Sequence, residues 1–91
     1  MPLHLKVTGT VHGVGFRQFV RITGTRLGLS GWVRNTPDGA VELVASGAPA
    51  AEEAMLVAVR RGPSQAHVAA VELVAGNGAA SPLPFPFTVR F

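Results

Sequence analysis

The sequence predicts a single α+β domain over residues 1–91, with two helices on one face of an antiparallel sheet and a short strand at the C-terminal end. Three observations predict this fold. Apolar residues alternate with polar ones near both ends of the chain, two internal segments have helical signals, and turn sequences separate these segments. No apolar run approaches the ~18 residues that cross a bilayer. We therefore expect one soluble domain that does not associate with membranes.

The first two elements are predicted to be a strand and a helix. Apolar and polar residues alternate between Leu3 and Val11, which is the period of a strand with one covered face. The spacing of apolar residues then becomes helical from Phe16 to Leu27, and Gly28 is suited to end the helix. The chain is therefore expected to pass from strand to helix through a short loop.

A hairpin and a second helix are expected next. Two short strands, 31–35 and 40–45, are joined by the turn 36–39, in which a proline pre-sets φ and a glycine accepts a left-handed conformation. The second helix is predicted to begin near Pro49 and to end at Arg61. Acidic residues in its first turn and basic residues in its last turn match the helix dipole.

The C-terminal third is predicted to add strands and a loop. Residues 67–74 are apolar and β-branched enough for a strand, and a Gly/Pro-rich surface loop is expected around 77–86. A short closing strand is indicated by four alternating residues, Phe85, Phe87, Val89 and Phe91. The order β-α-β-β-α-β plus a terminal strand predicts a ferredoxin-like sandwich. We expect Phe16 and Trp32 to be core residues.

Composition argues against several function classes. The absence of cysteine excludes disulfides, a thiolate nucleophile and zinc sites built on sulfur. The three histidines lack ligand spacing, so no metal or cofactor is expected. The net charge of +3 favours an anionic partner only weakly, and the basic residues are dispersed rather than forming a tract for nucleic acid. The N-terminus has no signal-peptide pattern, so we expect a cytoplasmic protein, and we expect a monomer.

The segment from His12 to Arg17 is the candidate binding site. A loop that enters a helix presents unpaired backbone N–H groups, and glycines allow a ligand to approach them closely. Arg17 would add a charged, bidentate fork. The backbone expected to surround phosphate oxygens is that of His12, Gly13, Val14, Gly15 and Phe16. The alternative is that the glycines only form a tight turn and that Arg17 is a solvated first-turn residue.

Other phosphate and hydrolase chemistries lack support in the sequence. No Gly-Lys-Ser/Thr follows the loop, and position 18 is Gln where the dinucleotide pattern needs Gly. A cysteine phosphatase would need Cys in place of Val11. Asp38 could be a nucleophile or general acid, but the Pro-Asp-Gly turn explains it completely. No serine has a histidine and an acid partner suggested by the sequence.

Two motifs resemble those of the acylphosphatase family. The first is Thr8-Gly-Thr-Val-His-Gly-Val-Gly-Phe-Arg17. The second is Gly31-Trp-Val-Arg-Asn-Thr-Pro-Asp-Gly-Ala-Val-Glu42, which matches without a gap. The likeness extends in looser form over nearly the whole chain. One departure is His12, where the family most often has Gln.

The resemblance implies a substrate and two residue roles. Arg17 would bind the phosphoryl group and Asn35 would hold the attacking water. The substrate would be an acyl phosphate, cleaved to a carboxylate and inorganic phosphate without a metal. A carboxylate leaving group with a pKa of about 4 to 5 can depart unprotonated, so no general acid is required. Without the resemblance, Asn35 would be interpreted as a hairpin residue before a turn.

Two other functions stay open. Ferredoxin-like domains also serve as small-ligand or nucleic-acid binding modules, and fold alone does not assign function. An RNA-binding sheet is expected to carry clustered aromatic residues on its central strands, whereas the predicted first strand has none. Similar domains also occur at the N-terminus of larger carbamoyl-transfer proteins that mature hydrogenases. The closing strand up to Phe91 favours a stand-alone enzyme.

Overall fold

The computed structural model describes residues 2–74 and 82–90 and contains the predicted α+β fold. Its strands are β1 (Leu3–Thr10), β2 (Ser30–Asn35), β3 (Val41–Ser46), β4 (His67–Leu73) and β5 (Thr88–Val89). Its helices are α1 (Phe16–Arg26) and α2 (Pro49–Arg61). The described strands form one five-stranded sheet in the order β4-β1-β3-β2-β5, which confirms the ferredoxin-like arrangement for β1 to β4.

The prediction of an antiparallel sheet is correct for the first four strands and wrong at one edge. β1 pairs antiparallel with β3 and β4, and β2 pairs antiparallel with β3, but β5 runs parallel to β2. Two backbone bonds from Gly31 N–H to the Pro84 carbonyl (2.9 Å) and from Arg90 N–H to the Val33 carbonyl (2.8 Å) hold this edge. Alternation of apolar residues reports which side chains share a face, and it contains no information on strand direction.

The closing strand is shorter than its four alternating residues predict. Only two residues form β5, and Phe85 is 69% exposed whereas Phe87 is 3% exposed and packs in the core. Phe91 lies outside the described residues, as does part of the predicted surface loop, residues 77–81. Within the described part of that loop, residues 82–86, all but Leu83 are exposed.

The core lies between the sheet and the two helices. Its fully buried members come from every layer: Leu5, Val7, Phe16, Val20, Val33, Val41, Leu43, Met55 and Val59. Trp32 is buried, as predicted. Successive side chains of a strand lie on opposite faces of the sheet, and because Val33 packs in the core, Trp32 faces away from the helices. There the Arg90 guanidinium lies 5.1 Å from its ring centroid, and His4 packs edge-on at 6.4 Å.

Candidate functional site

The loop between β1 and α1 turns back on itself through two glycines in the left-handed region. Gly13 has φ 72° and Gly15 has φ 77°, whereas every described residue other than glycine has negative φ. A Cβ added to either glycine would meet nothing within 4 Å. Backbone conformation, rather than lack of space, therefore requires glycine at both positions.

Helix α1 begins in a way that exposes its positive end. Gly15 is the N-cap residue, no side chain caps the first turn, and that turn contains no acidic residue. The first N–H groups of a helix have no partner within the helix, and the dipole adds a partial positive charge there. The ring of Phe16, which is 1% exposed, packs in the core and fixes the position of this turn.

A cavity of about 360 Å³ opens at this helix end. It brings together the loop, the first two turns of α1, the end of β2 and the edge strand β5. Its lining residues are Val11, Gly13, Gly15, Phe16, Arg17, Gln18, Arg21, Asn35 and Val89. Among these described residues two are cationic and none is acidic, so the cavity is suited to an anion.

The cavity contains both residues to which the family resemblance assigned roles. Arg17 reaches it from the first turn of α1, and its side chain is half-buried. Asn35 reaches it as the last residue of β2, at the register position opposite Val41. Two motifs separated in the sequence thus meet at one end of the fold, because β2 lies beside α1 in the sandwich.

Asn35 has a buried acceptor that the described residues do not satisfy. Its Oδ1 atom is buried and has no hydrogen-bond partner among residues 2–74 and 82–90. Leaving such an atom unpaired costs about 1–3 kcal/mol. A hairpin residue that only precedes a turn does not need a carbonyl oxygen buried in this way, and Asn35 lines the cavity, so a ligand or a water bound there is the candidate partner of Oδ1.

The side chain of His12 points to the hairpin rather than to the cavity. Its Nε2–H donates to the Ala40 carbonyl at 2.7 Å, and the same carbonyl accepts the Thr36 N–H at 2.9 Å. Neither His12 nor Val14 is among the described residues that line the cavity. Within the predicted segment, the cavity wall is therefore formed at Gly13, Gly15, Phe16 and Arg17, and His12 ties the loop to the hairpin that carries Asn35.

Sequence reasoning missed several residues of the cavity. Arg21 lies four positions after Arg17, a spacing that places two side chains on the same helix face and could have indicated it. Gln18 accepts a hydrogen bond from the Nε atom of Arg21 at 3.1 Å. Val89 enters the wall only because β5 pairs with β2, and no local sequence signal reports that pairing.

Asp38 lies outside the cavity, in the turn between β2 and β3. Its carboxylate accepts hydrogen bonds from Lys6 Nζ at 2.7 Å and from the Thr36 hydroxyl. The hydrogen bond from Lys6 has the largest effect and that from Thr36 the next, and together they hold the pKa of Asp38 well below its usual range. Asp38 is therefore a charged turn residue, in agreement with the interpretation of the Pro-Asp-Gly sequence.

A second polar cluster lies on the sheet face away from the helices. Burial tends to raise the pKa of Glu42, but hydrogen bonds from His4 Nε2 (2.6 Å) and from Arg34 outweigh it, and the pKa is lowered. The carboxylate is therefore ionised and paired with Arg34. None of these three side chains lines the cavity at α1.

Among residues 2–74 and 82–90, no group of three or more histidine, cysteine, aspartate or glutamate side chains comes close enough to hold a metal ion. Neither α1 nor α2 is long and apolar enough to pass through a bilayer.

Comparison with known proteins connects this arrangement to one family. The family model for acylphosphatase matches residues 3–78. A protein named acylphosphatase from Thiobacillus denitrificans is 46% identical over 76 residues, which is 84% of this chain and 85% of that protein.

Solved structures are similar along their whole length or over one segment. The crystal structure of acylphosphatase from Bacillus subtilis is 30% identical with a TM-score of 0.86, over 99% of this chain and 98% of that one. HypF from T. kodakarensis is 28% identical with a TM-score of 0.79, over 99% of this chain and 12% of that one. A binding module without enzymatic activity is not favoured by these likenesses.

Proposed function

The chain belongs to the acylphosphatase family, and we propose that Arg17, Asn35 and the amides of the loop 12–16 form its active site. The family activity is hydrolysis of the carboxyl–phosphate bond of an acyl phosphate. The observation that carries the assignment of residues is the cavity at the start of α1, which is lined both by the cationic Arg17 and by Asn35, whose buried Oδ1 has no partner among the described residues.

Substrate binding depends on two kinds of donor. The phosphoryl oxygens lie against the N–H groups of the glycine loop and of the first turn of α1, where the helix dipole favours negative charge. Arg17 adds a fixed positive charge with several donors in one plane. These groups stabilise the charge on the phosphoryl oxygens as the transition state forms, which is the main requirement of phosphoryl transfer through a loose transition state.

Asn35 positions the nucleophile. Its Oδ1 accepts a hydrogen bond from a water molecule, and the oxygen of that water attacks phosphorus on the side opposite the carboxyl oxygen. The bond between phosphorus and the carboxyl oxygen breaks, and the carboxylate leaves with the electron pair. The proton lost by the water passes to a phosphate oxygen or to solvent. Positioning of this kind can lower a barrier without a strong base.

No general acid is needed for this reaction. The leaving carboxylate has a pKa of about 4 to 5, so it is stable without a proton at neutral pH. This agrees with the cavity wall, in which the described residues include no carboxyl group and no histidine. Asp38 and Glu42, whose pKa values are both lowered, lie elsewhere and are already ionised.

The test is hydrolysis of acetyl phosphate and benzoyl phosphate by the purified protein in the presence of excess chelator. We expect turnover of both substrates, and little turnover of phenyl phosphate, whose phenolate leaving group has a pKa of about 10 and needs a proton. Arg17→Ala is expected to remain folded and to lose nearly all activity. Full activity in Arg17→Ala, or activity abolished by the chelator, would sink the proposal.

We also propose which molecules this protein interacts with. The partners are an acyl phosphate and inorganic phosphate, with no nucleic acid and no membrane. A monomeric state and a cytoplasmic location stay predictions. Size-exclusion chromatography with light scattering tests the first of these.

A further inference from the structure

Arg21 is a second cation in the cavity, and the family resemblance assigns it no role. It lies four residues after Arg17, so its side chain leaves the same face of α1 about 6 Å further along the helix axis. Gln18 Oε1 accepts from its Nε at 3.1 Å and orients the guanidinium. The two terminal nitrogens have no hydrogen-bond partner within residues 2–74 and 82–90.

The positions of the lining residues give the cavity a direction. The loop glycines and the first turn of α1 lie at the end where the phosphoryl group is proposed to bind. Arg21 lies one turn further along the same wall, and Val89 supplies an apolar contact from the edge strand. The acyl part of a bound substrate has to extend from the phosphoryl group, and the wall of α1 leads it towards Arg21.

The charge of Arg21 indicates which chemical group it would bind. The acyl part of a simple acyl phosphate is neutral and would not form an ion pair with a second guanidinium. No acidic side chain among the described lining residues neutralises Arg21. We propose that Arg21 is a specificity-determining residue that binds a second anionic group, a carboxylate or a phosphate, on the acyl part of the substrate. This inference rests on the proposed function, because it presumes that the phosphoryl group occupies the other end.

The test compares benzoyl phosphate with its 3-carboxy and 4-carboxy derivatives, which share one ring and differ in the second charge. In the wild type, kcat/KM is expected to be higher for at least one carboxy derivative than for benzoyl phosphate. Arg21→Gln should lower that ratio about tenfold, mainly through KM, as expected for loss of a charged hydrogen bond of about 1.4 kcal/mol. Arg21→Lys, which retains the charge, should keep part of the preference.

The control is Arg26→Gln, which removes the same charge from the last turn of the same helix, where Arg26 faces the groove between α1 and α2. It should leave the ratio unchanged. Equal ratios in the wild type and Arg21→Gln would overturn the inference, and so would an equal drop in Arg26→Gln, which would indicate a general charge effect. Failure of the wild type to hydrolyse any of the three compounds would instead overturn the proposed function.

Discussion

The N-terminal ends of the two helices differ although both follow a strand and a short loop. Neither has a side-chain N-cap hydrogen bond. At α2, Pro49 begins the helix, Glu52 lies in the first turn, and its carboxylate accepts the Gly47 N–H at 3.0 Å. At α1, a left-handed glycine precedes the helix and the first turn has no acid. The protein thus places a carboxylate of its own in the first turn of α2, whereas the first turn of α1 contains none.

This difference supports the proposal that the start of α1 binds an anion and that the start of α2 is structural. An acid in the first turn stabilises a helix by about 0.3–1 kcal/mol, and α1 does without that contribution. It also carries Arg17 and Arg21 near the same end, which adds positive charge to the dipole. An anion that binds the folded state compensates for this by mass action, so inorganic phosphate should raise the melting temperature.

The largest expected effect of a substitution outside Arg17 is that of Asn35→Ala. Without the amide oxygen that is proposed to hold the attacking water, kcat should fall about 10²- to 10³-fold, the range observed when one positioned polar group is lost. Because Oδ1 is buried without a partner in the part of the chain that the structure describes, its removal should leave the free energy of unfolding within about 1 kcal/mol of the wild type. Assays and urea unfolding check both parts. A large loss of stability with normal kcat would show that Asn35 is structural.

Gly15→Ala and Gly28→Ala form a matched pair at the two ends of α1. Both glycines have φ above 70°, and a Cβ at either meets nothing within 4 Å. Each substitution should therefore cost about 1 kcal/mol of stability through backbone strain alone. Only Gly15→Ala should also weaken inhibition by phosphate, by about tenfold, because it tilts the loop amides. Similar inhibition constants for the two variants would place the anion elsewhere.

His12 tests the link between the loop and the hairpin. His12→Ala removes the donor to the Ala40 carbonyl, and loss of about 1 kcal/mol of positioning should lower kcat/KM about fivefold. His12→Gln, whose amide N–H can donate to the same carbonyl, should recover most of this loss. The inhibition constant of phosphate serves as a second readout. An inactive His12→Gln beside an active His12→Ala would argue against a positioning role.

Glu52→Gln should have the smallest effect and affects the other helix end. Removing the first-turn charge of α2 should lower the free energy of unfolding by about 0.3–1 kcal/mol. Activity and phosphate inhibition should be unchanged, because Glu52 lies at the end of α2 and the described lining of the cavity does not include it. Urea unfolding and the acyl phosphate assay measure the two effects. A change in phosphate inhibition would mean that the two helix ends do not act independently.

The sequence predicted most of the fold because its signals are local. The left-handed glycines that bound α1, the proline at the start of α2 and the alternation in β1 each act within a few residues. The parallel pairing of β5 was not predictable from alternation, because direction depends on how the chain reaches the sheet edge. The side of the sheet on which Trp32 lies was not predicted either, since Arg90, which packs against its ring there, is distant in the sequence.

The candidate site also has features that the sequence predicts locally and features that depend on distant residues. Gly13, Gly15 and Arg17 lie within one short segment of the chain, so the loop could be proposed as a binding site from residue chemistry alone. That Arg17 and Asn35 belong to one site was predicted only from the family resemblance, because their proximity depends on the packing of α1 against β2. The hydrogen bond of His12 to the Ala40 carbonyl spans 28 residues and has no local signature.

The most direct test of the contrast between the two helix ends is a titration of the isotope-labelled protein with inorganic phosphate, followed by amide NMR in the presence of chelator. The amides of Gly13, Gly15 and Arg17 are expected to shift and saturate together. The first-turn amides of α2, at residues 50–52, should not move, and Arg17→Ala should weaken the binding constant at least about tenfold. Shifts of equal size at both helix ends, or saturation unchanged in Arg17→Ala, would show that the anion does not bind at the start of α1.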